Sequence, residues 1–355
     1  KAMTEGTLNT IVGGLAGDAL TEGNHNTVLG YGALSNETLG DRNVAVGSNA
    51  LYAQNNTSNV DAYNVAVGYN AGAAVTTGVQ NTLMGALAGD SLTTGTNNVA
   101  IGFEALATED EHSFNVAVGH RALKTQNAGA SAYNTALGYN AGLSVTTGTN
   151  NTIVGGLAGD ALTTGIQNVA IGRSALSSED TGSASVAVGS FALTTQNYDG
   201  NAYNVAVGHD AGKSVTTGDQ NTLIGAKAGD ALTEGDSNVA VGYLALTAET
   251  LGDRSVAVGR GTLQNQNNTS DIDVYNVAIG YNAGAAVTTG IYNTIMGGLA
   301  GDALTAGTRN VAIGTFALST EDGHSANVAV GYSALNALNA GADGYNTAVG
   351  YQAGT

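Results

Sequence analysis

The sequence has no cysteine, no proline and no tryptophan, and only 11% of its 355 residues are charged. Without cysteine there is neither a disulfide nor a thiolate metal site. Fifty-three glycines without a single proline exclude collagen, whose triple helix needs glycine at every third position and a high imino-acid content. Aromatic residues make up only 5%, so a core has to be assembled from Ala, Val, Ile and Leu. Long apolar runs are missing as well, because Gly, Asn and Thr interrupt every hydrophobic stretch, and no membrane span is expected. Positive charge is scarce: ten Lys and Arg against 28 Asp and Glu give a formal charge of −18, and with no basic patch nucleic acid is not an expected partner. A hydrophobic share of 43% is too high for a disordered chain. The chain starts at Lys1 with neither an initiator methionine nor an apolar leader, as expected of a processed product or of a piece of something longer.

What is present is a repeat. The motif Asn-Val-Ala-Val-Gly, complete at Asn43 to Gly47, recurs in close variants whose first residues fall at 9, 26, 43, 64, 81, 98, 115, 134, 151, 168, 185, 204, 221, 238, 255, 276, 293, 310, 327 and 346. Successive positions differ by 17, lengthened to 19 or 21 after every fourth coil. Self-similarity at this period marks a solenoid, and β-branched residues flanking Ala before a closing Gly argue for strands over helices. The expected fold is therefore all-β: one parallel β-solenoid domain (a β-roll or β-helix) over residues 1–355, of about twenty 17-residue coils with two or three short strands each. The coils group in fours, with super-repeats starting near 64, 134, 204, 276 and 346. Nineteen steps of about 4.8 Å would make a rod roughly 90 Å long.

The ladder residues, Asn64, Gly68, Asn81, Gly85, Asn98, Gly102, Asn151 and Gly155 among them, read as structural. Gly closes every motif, as required by a corner needing positive φ or close backbone approach. Asn opens all motifs except at Ser185 and Ser255, and its amide can bond its own backbone and the same amide one coil on. Ala follows the closing Gly by three positions in every coil but one, where Thr262 stands, implying a tight inward site. Within the strand, Val65 and Val67 point one way and Ala66 the other. The third position becomes bulky in the second coil of each group, at Ile11, Leu83, Ile153, Leu223 and Ile295. A strand apolar on both faces asks for a second sheet, and homo-oligomerisation would supply one, with the bulky third position against the partner.

At this motif the chain resembles the head repeats of trimeric autotransporter adhesins, with Ser185 to Gly189 and Asn98 to Gly102 nearest their Ser/Asn-Val-Ala-Ile-Gly core. The longer unit, Asn134-Thr-Ala-Leu-Gly-Tyr-Asn-Ala-Gly followed by Val145-Thr-Thr-Gly148, is similar to repeats of bacteriophage tail fibres and related surface proteins. The resemblance spans essentially the whole chain. It implies a homotrimer of left-handed parallel β-rolls with an adhesive or shaft role, extracellular, on a cell surface or a virion surface. Residues 346–355 joined to residues 1–8 would make a coil of 18, close to the standard 17, so the expectation is either that flanking repeats have been left out or that copies stack end to end.

Catalytic chemistry finds little support, and the chain is read as no enzyme. Ser and Thr have no repeated His or acid beside them. The five His, at 25, 112, 120, 209 and 324, read as surface residues with no common repeat position. Asp18, Asp90, Asp160, Asp230 and Asp302 recur once per group, roughly 19 Å apart and too distant to pair. Asp90 with Glu109 and Asp110, Asp160 with Glu179 and Asp180, and Asp302 with Glu321 and Asp322 read as a solvated acidic stripe, with an oxygen-only Ca²⁺ site as the alternative. No cofactor is otherwise expected. Thr pairs such as Thr76-Thr77, Thr93-Thr94, Thr146-Thr147 and Thr163-Thr164 suggest a second class of function, an ice-binding ladder, and acidic solenoid faces a third, a carbohydrate-active β-helix enzyme. Each lengthened fourth coil ends in a tyrosine, giving Tyr63, Tyr133, Tyr203, Tyr275 and Tyr345. These are candidate contacts to a cell-surface glycan, the other reading being a ring packed over the corner as a plug.

Overall fold

A computed structural model of the chain describes residues 3–339 and 341–355, and among these no residue is helical. They form two compact units, the first ending at Ser174 and the second beginning at Ala175. Each unit is a parallel β-solenoid of ten coils. The motif strands run from Thr10–Val12 to Val169–Ile171 in the first and from Val186–Val188 to Thr347–Val349 in the second. Neighbouring strands pair in register, motif on motif, as Val65 with Thr82, Ala66 with Leu83 and Val67 with Met84.

Each coil holds one three-residue motif strand and not the two or three expected; among the described residues the rest is turns, bends and irregular backbone, apart from the short pair Gly252–Asp253 and Ile272–Asp273 and single parallel bridges between Asp41 and Asp61 and between Ser183 and Asn201. The reason is conformational. Residues such as Asn70, Tyr63 and Leu51 have positive φ, in the left-handed region. A single left-handed residue ends an extended run. The turns still stack, because Leu87 N–H donates to Tyr69 O (2.9 Å) and Gly72 N–H to Ala88 O (2.9 Å), one coil apart. The closing glycine meets both requirements placed on it. Gly155 has a positive φ, and a Cβ there would lie 2.5 Å from the carbonyl oxygen of Gly172.

The motif asparagines are buried and link coils through the backbone more than amide to amide. Asn81 Oδ1 accepts from the Asn98 N–H (2.9 Å), while its Nδ2 donates to Gly95 O (2.8 Å). Asn64 and Asn134 repeat the pattern.

The third motif position faces the interior of its own coil, and this overturns its assignment to a partner contact. Ala66, Leu83, Ile153, Leu223 and Ile295 are fully buried, as are Ala71 and Thr262 three residues after the glycine. The bulky residues complement a deletion elsewhere. A Cβ built on Gly212 or Gly229 would come within 2.7 or 2.9 Å of Leu223, so the side chain occupies the space those glycines leave.

A second interior row explains the grouping in fours. In the second unit it reads Glu179, Gln196, Val215, Leu232, Glu249 and Gln266, all buried. Glu37, Glu109, Glu179, Glu249 and Glu321 are thus inside the coil, which corrects the solvated stripe. Six N–H groups converge on the Glu249 carboxylate. They come from Thr250 (2.9 Å), Leu251 (3.3 Å) and Gly252 (2.9 Å) of its own turn, Gln266 Nε2 (2.8 Å), and Asn268 through its backbone (3.0 Å) and Nδ2 (3.0 Å). Gln266 passes the network on through Oε1, which accepts from Asn276 Nδ2 (2.9 Å).

Candidate interaction face

Alternation carries four residues of every coil to the outside: the one before the motif, its second and fourth, and the one after the closing glycine. In the coil opened by Asn64 these are Tyr63, Val65, Val67 and Tyr69, none of them buried, whereas Asn64 and Ala66 between them are buried. Stacking in register turns the four positions into four parallel rows within each unit. The second row is Val or Thr throughout and the fourth is Val, Ile, Leu or Met throughout.

The composition of the face is sharply selected. None of the 28 Asp and Glu residues falls in these rows, nor does any lysine. Every tyrosine except Tyr52 and Tyr198, and every arginine except Arg121, does. The outer rows form aromatic ladders. Phe114 stacks on Tyr133 (centroids 5.2 Å apart), and His120 lies between Phe103 (5.5 Å) and Tyr139 (5.3 Å). In the second unit Tyr275 stacks on Tyr292 (6.0 Å), and Arg260 lies against Tyr243 (5.8 Å) and Tyr281 (5.5 Å). Arg42 and Arg254 cover Tyr63 and Tyr275 and pair with Asp61 and Asp273, just beyond the edge of the face.

Tyr63, Tyr133, Tyr203, Tyr275 and Tyr345 are therefore not corner plugs. They are 47 to 76% exposed and belong to the first row of the face, continuous with the strand and not part of the loop ahead of it. Tyr133 and Tyr275 stack on Phe114 and Tyr292 of the same row, and the five are not adjacent to one another.

The remaining candidates resolve differently. The first hydroxyl of each Thr pair staples coils together, Thr76 Oγ1 donating to Thr93 O (3.2 Å) and Thr93 Oγ1 to Asp110 O (2.8 Å), which removes it from an ice-facing ladder. Asp90, Asp160 and Asp302 have carboxyls pushed above the usual range, chiefly by burial.

The five histidines have no one position in common, but four of them pair by register. His112 and His324 stand three residues before a motif, and His120 and His209 follow a closing glycine. Glu109, Asp110 and His112, and likewise Glu321, Asp322 and His324, bring ligand atoms within 4.8 Å of one another and are the residues that could hold a metal. In the structure both oxygens of Glu109 are committed inside the coil, Oε1 to the His112 ring nitrogen (2.8 Å) and Oε2 to Gln126 Nε2 (2.9 Å). Because a carboxylate only accepts, Nδ1 of His112 is the donor. It takes the place of the Asn side chain that serves Glu249.

The buried Glu-Gln pairs were missed in the sequence. Their signal was the recurrence of Glu37, Glu109, Glu179 and Glu249, each followed one coil later by Gln54, Gln126, Gln196 and Gln266 in turn. No family model, no curated protein and no solved structure matches this chain.

Proposed function

We propose that this chain is a non-catalytic structural and adhesive element of an extracellular fibre, on a cell or virion surface, whose copies pack strand face to strand face as a homotrimer. The observation that carries the reading is the exclusion of every carboxylate from four adjacent rows of a chain with a charge of −18. Identical acidic chains repel wherever their carboxylates meet, so the surface they can share is the one without them. Its content of Tyr, Phe, Met, Arg and aliphatic residues, with Lys, Asp and Glu left out, is the composition that distinguishes the cores of protein interfaces. Nine steps of about 4.8 Å and six residues of extended width give each unit a face of roughly 850 Å², comparable with one partner's share of a standard interface.

Light scattering of the unmodified protein should give three times the chain mass. Replacing Ile101 and Val154, both in the fourth row, by Asp should yield a folded monomer with an unchanged circular-dichroism spectrum. A monomeric parent protein overturns the assembly. The exposure of Tyr63, Tyr133, Tyr203, Tyr275 and Tyr345 favours a second reading, in which the same aromatic edge touches glycan. Changing Tyr133, Tyr203 and Tyr275 together to Ser separates the two: loss of cell or glycan-array binding with the trimer intact supports recognition, and loss of the trimer assigns these rings to assembly.

A further inference from the structure

A cleft of about 650 Å³ opens in the first unit, at the corner that follows the strand face. One coil of this unit lacks a side chain at a register position that borders it. After Tyr31 the chain places Gly32, where the coil before has Leu15 and the two after have Asn49 and Asn70. The gap is aimed at. A Cβ on Gly32 would lie 2.7 Å from Asn49 Oδ1 and 3.6 Å from the Tyr52 ring, so that oxygen and that ring edge both look into the vacated space. Asn49 Nδ2 is anchored to Asn70 Oδ1 (3.2 Å), which fixes the amide with its oxygen toward the cleft.

The rest of the lining is equally specific. Tyr52 is the single aromatic in its row of the solenoid and one of two tyrosines outside the strand face. Tyr31, at the edge of the face, borders the cleft with Tyr52, and both rings are largely exposed. Asp18 and Asn36 complete the polar border.

The geometry points to a subsite for a neutral saccharide ring. Two phenol rings offer π-faces and hydroxyls to an amphipathic pyranose, while fixed amides and a carboxylate accept from its hydroxyls. No cation lines the cleft, and with Asp18 beside it an acidic sugar or a phosphate would enter against repulsion. The site is open and small, which limits it to weak binding that repetition along a fibre would strengthen. Tyr31 also belongs to the last row of the strand face, so the site requires that assembly leave this edge of the face uncovered.

The test is saturation-transfer NMR on the full chain with four probes: methyl glucoside and N-acetylglucosamine as neutral sugars, glucuronic acid as the anion, and tetramethylammonium as a cation that aromatic rings could also hold. Transfer to a neutral sugar is expected at millimolar concentration, and none to glucuronic acid. Gly32→Asn should abolish it without loss of fold, because Asn49 and Asn70 already occupy this register with positive φ, a conformation that Asn tolerates. Tyr52→Ala should weaken it about tenfold. Absence of transfer to the parent, equal transfer to Gly32→Asn, or a preference for tetramethylammonium or glucuronic acid each overturns the assignment.

Discussion

At the scale of single residues, the carboxylates divide by what surrounds them. Asp160 and Asp302 each keep a buried oxygen, Oδ1, without a hydrogen-bond partner, and burial raises their carboxyl pKa. A group whose folded pKa lies above its unfolded one binds its proton earlier in the folded state. Stability from this source therefore increases as pH falls through the folded value, and the gain is complete below the unfolded value of about 3.9. At neutral pH these two residues cost stability. Asp160→Asn with Asp302→Asn should raise the melting temperature at pH 7, and the advantage should shrink as pH is lowered into the carboxylate range. Thermal melts at several pH values check this, and an advantage independent of pH would mean that desolvation is not its cause. Glu104 behaves in the opposite way. Lys124 Nζ (2.6 Å) and Arg121 Nε (2.8 Å) hold its carboxyl below the usual range. Its contribution is therefore present above the unfolded pKa and lost in acid.

At the scale of the coil, a buried Glu-Gln pair ties four of the five lengthened turns to their neighbours. The Glu249 carboxylate accepts from six directions and donates to none, so an amide in its place would turn an NH₂ group toward other N–H groups. Glu249→Gln should therefore destabilise the fold by roughly 2–4 kcal/mol, a large effect for a near-isosteric change. Chemical denaturation of parent and variant measures the difference. A change under about 0.5 kcal/mol would mean that the turn holds without the charge. In the two 21-residue coils the longer loop also brings Asn56 or Asn268 over the carboxylate.

For the whole molecule, interior and face are separable by substitution. Leu223→Asp places a charge in the space left by Gly212 and Gly229 and should unfold the second unit, whereas Asp at Ile101 and Val154 should leave a folded monomer. Salt provides an independent check on assembly through a charge-free face. Copies bearing a charge of −18 repel at long range, and salt screens that repulsion without weakening apolar contact. Association measured by sedimentation should tighten between low and physiological ionic strength. Dissociation by salt would mean that ion pairs between copies hold the assembly together.

The sequence by itself determined the parallel solenoid, its coil boundaries and the place of each glycine, because a residue repeated in every coil meets its own copy above and below, and any misfit would repeat with it. It also determined that Val65 and Val67 face opposite to Ala66, since strand alternation is local. Which side was inside depended on the tertiary structure. Small and branched apolar residues occupy both sides, and only closure of the coil buried Ala66 and Leu223 and left the valines half-exposed. Tertiary structure likewise decided that Glu179 and Glu249 are interior, because a carboxylate can enter a core only where N–H groups of its own turn and of the next coil converge on it. The absence of acids from the outer face was written in the sequence all along. It became legible once the fold had aligned Tyr63, Val65, Val67 and Tyr69 as one surface, since residues two apart in the chain and one repeat apart between coils become neighbours only through strand alternation and stacking in register.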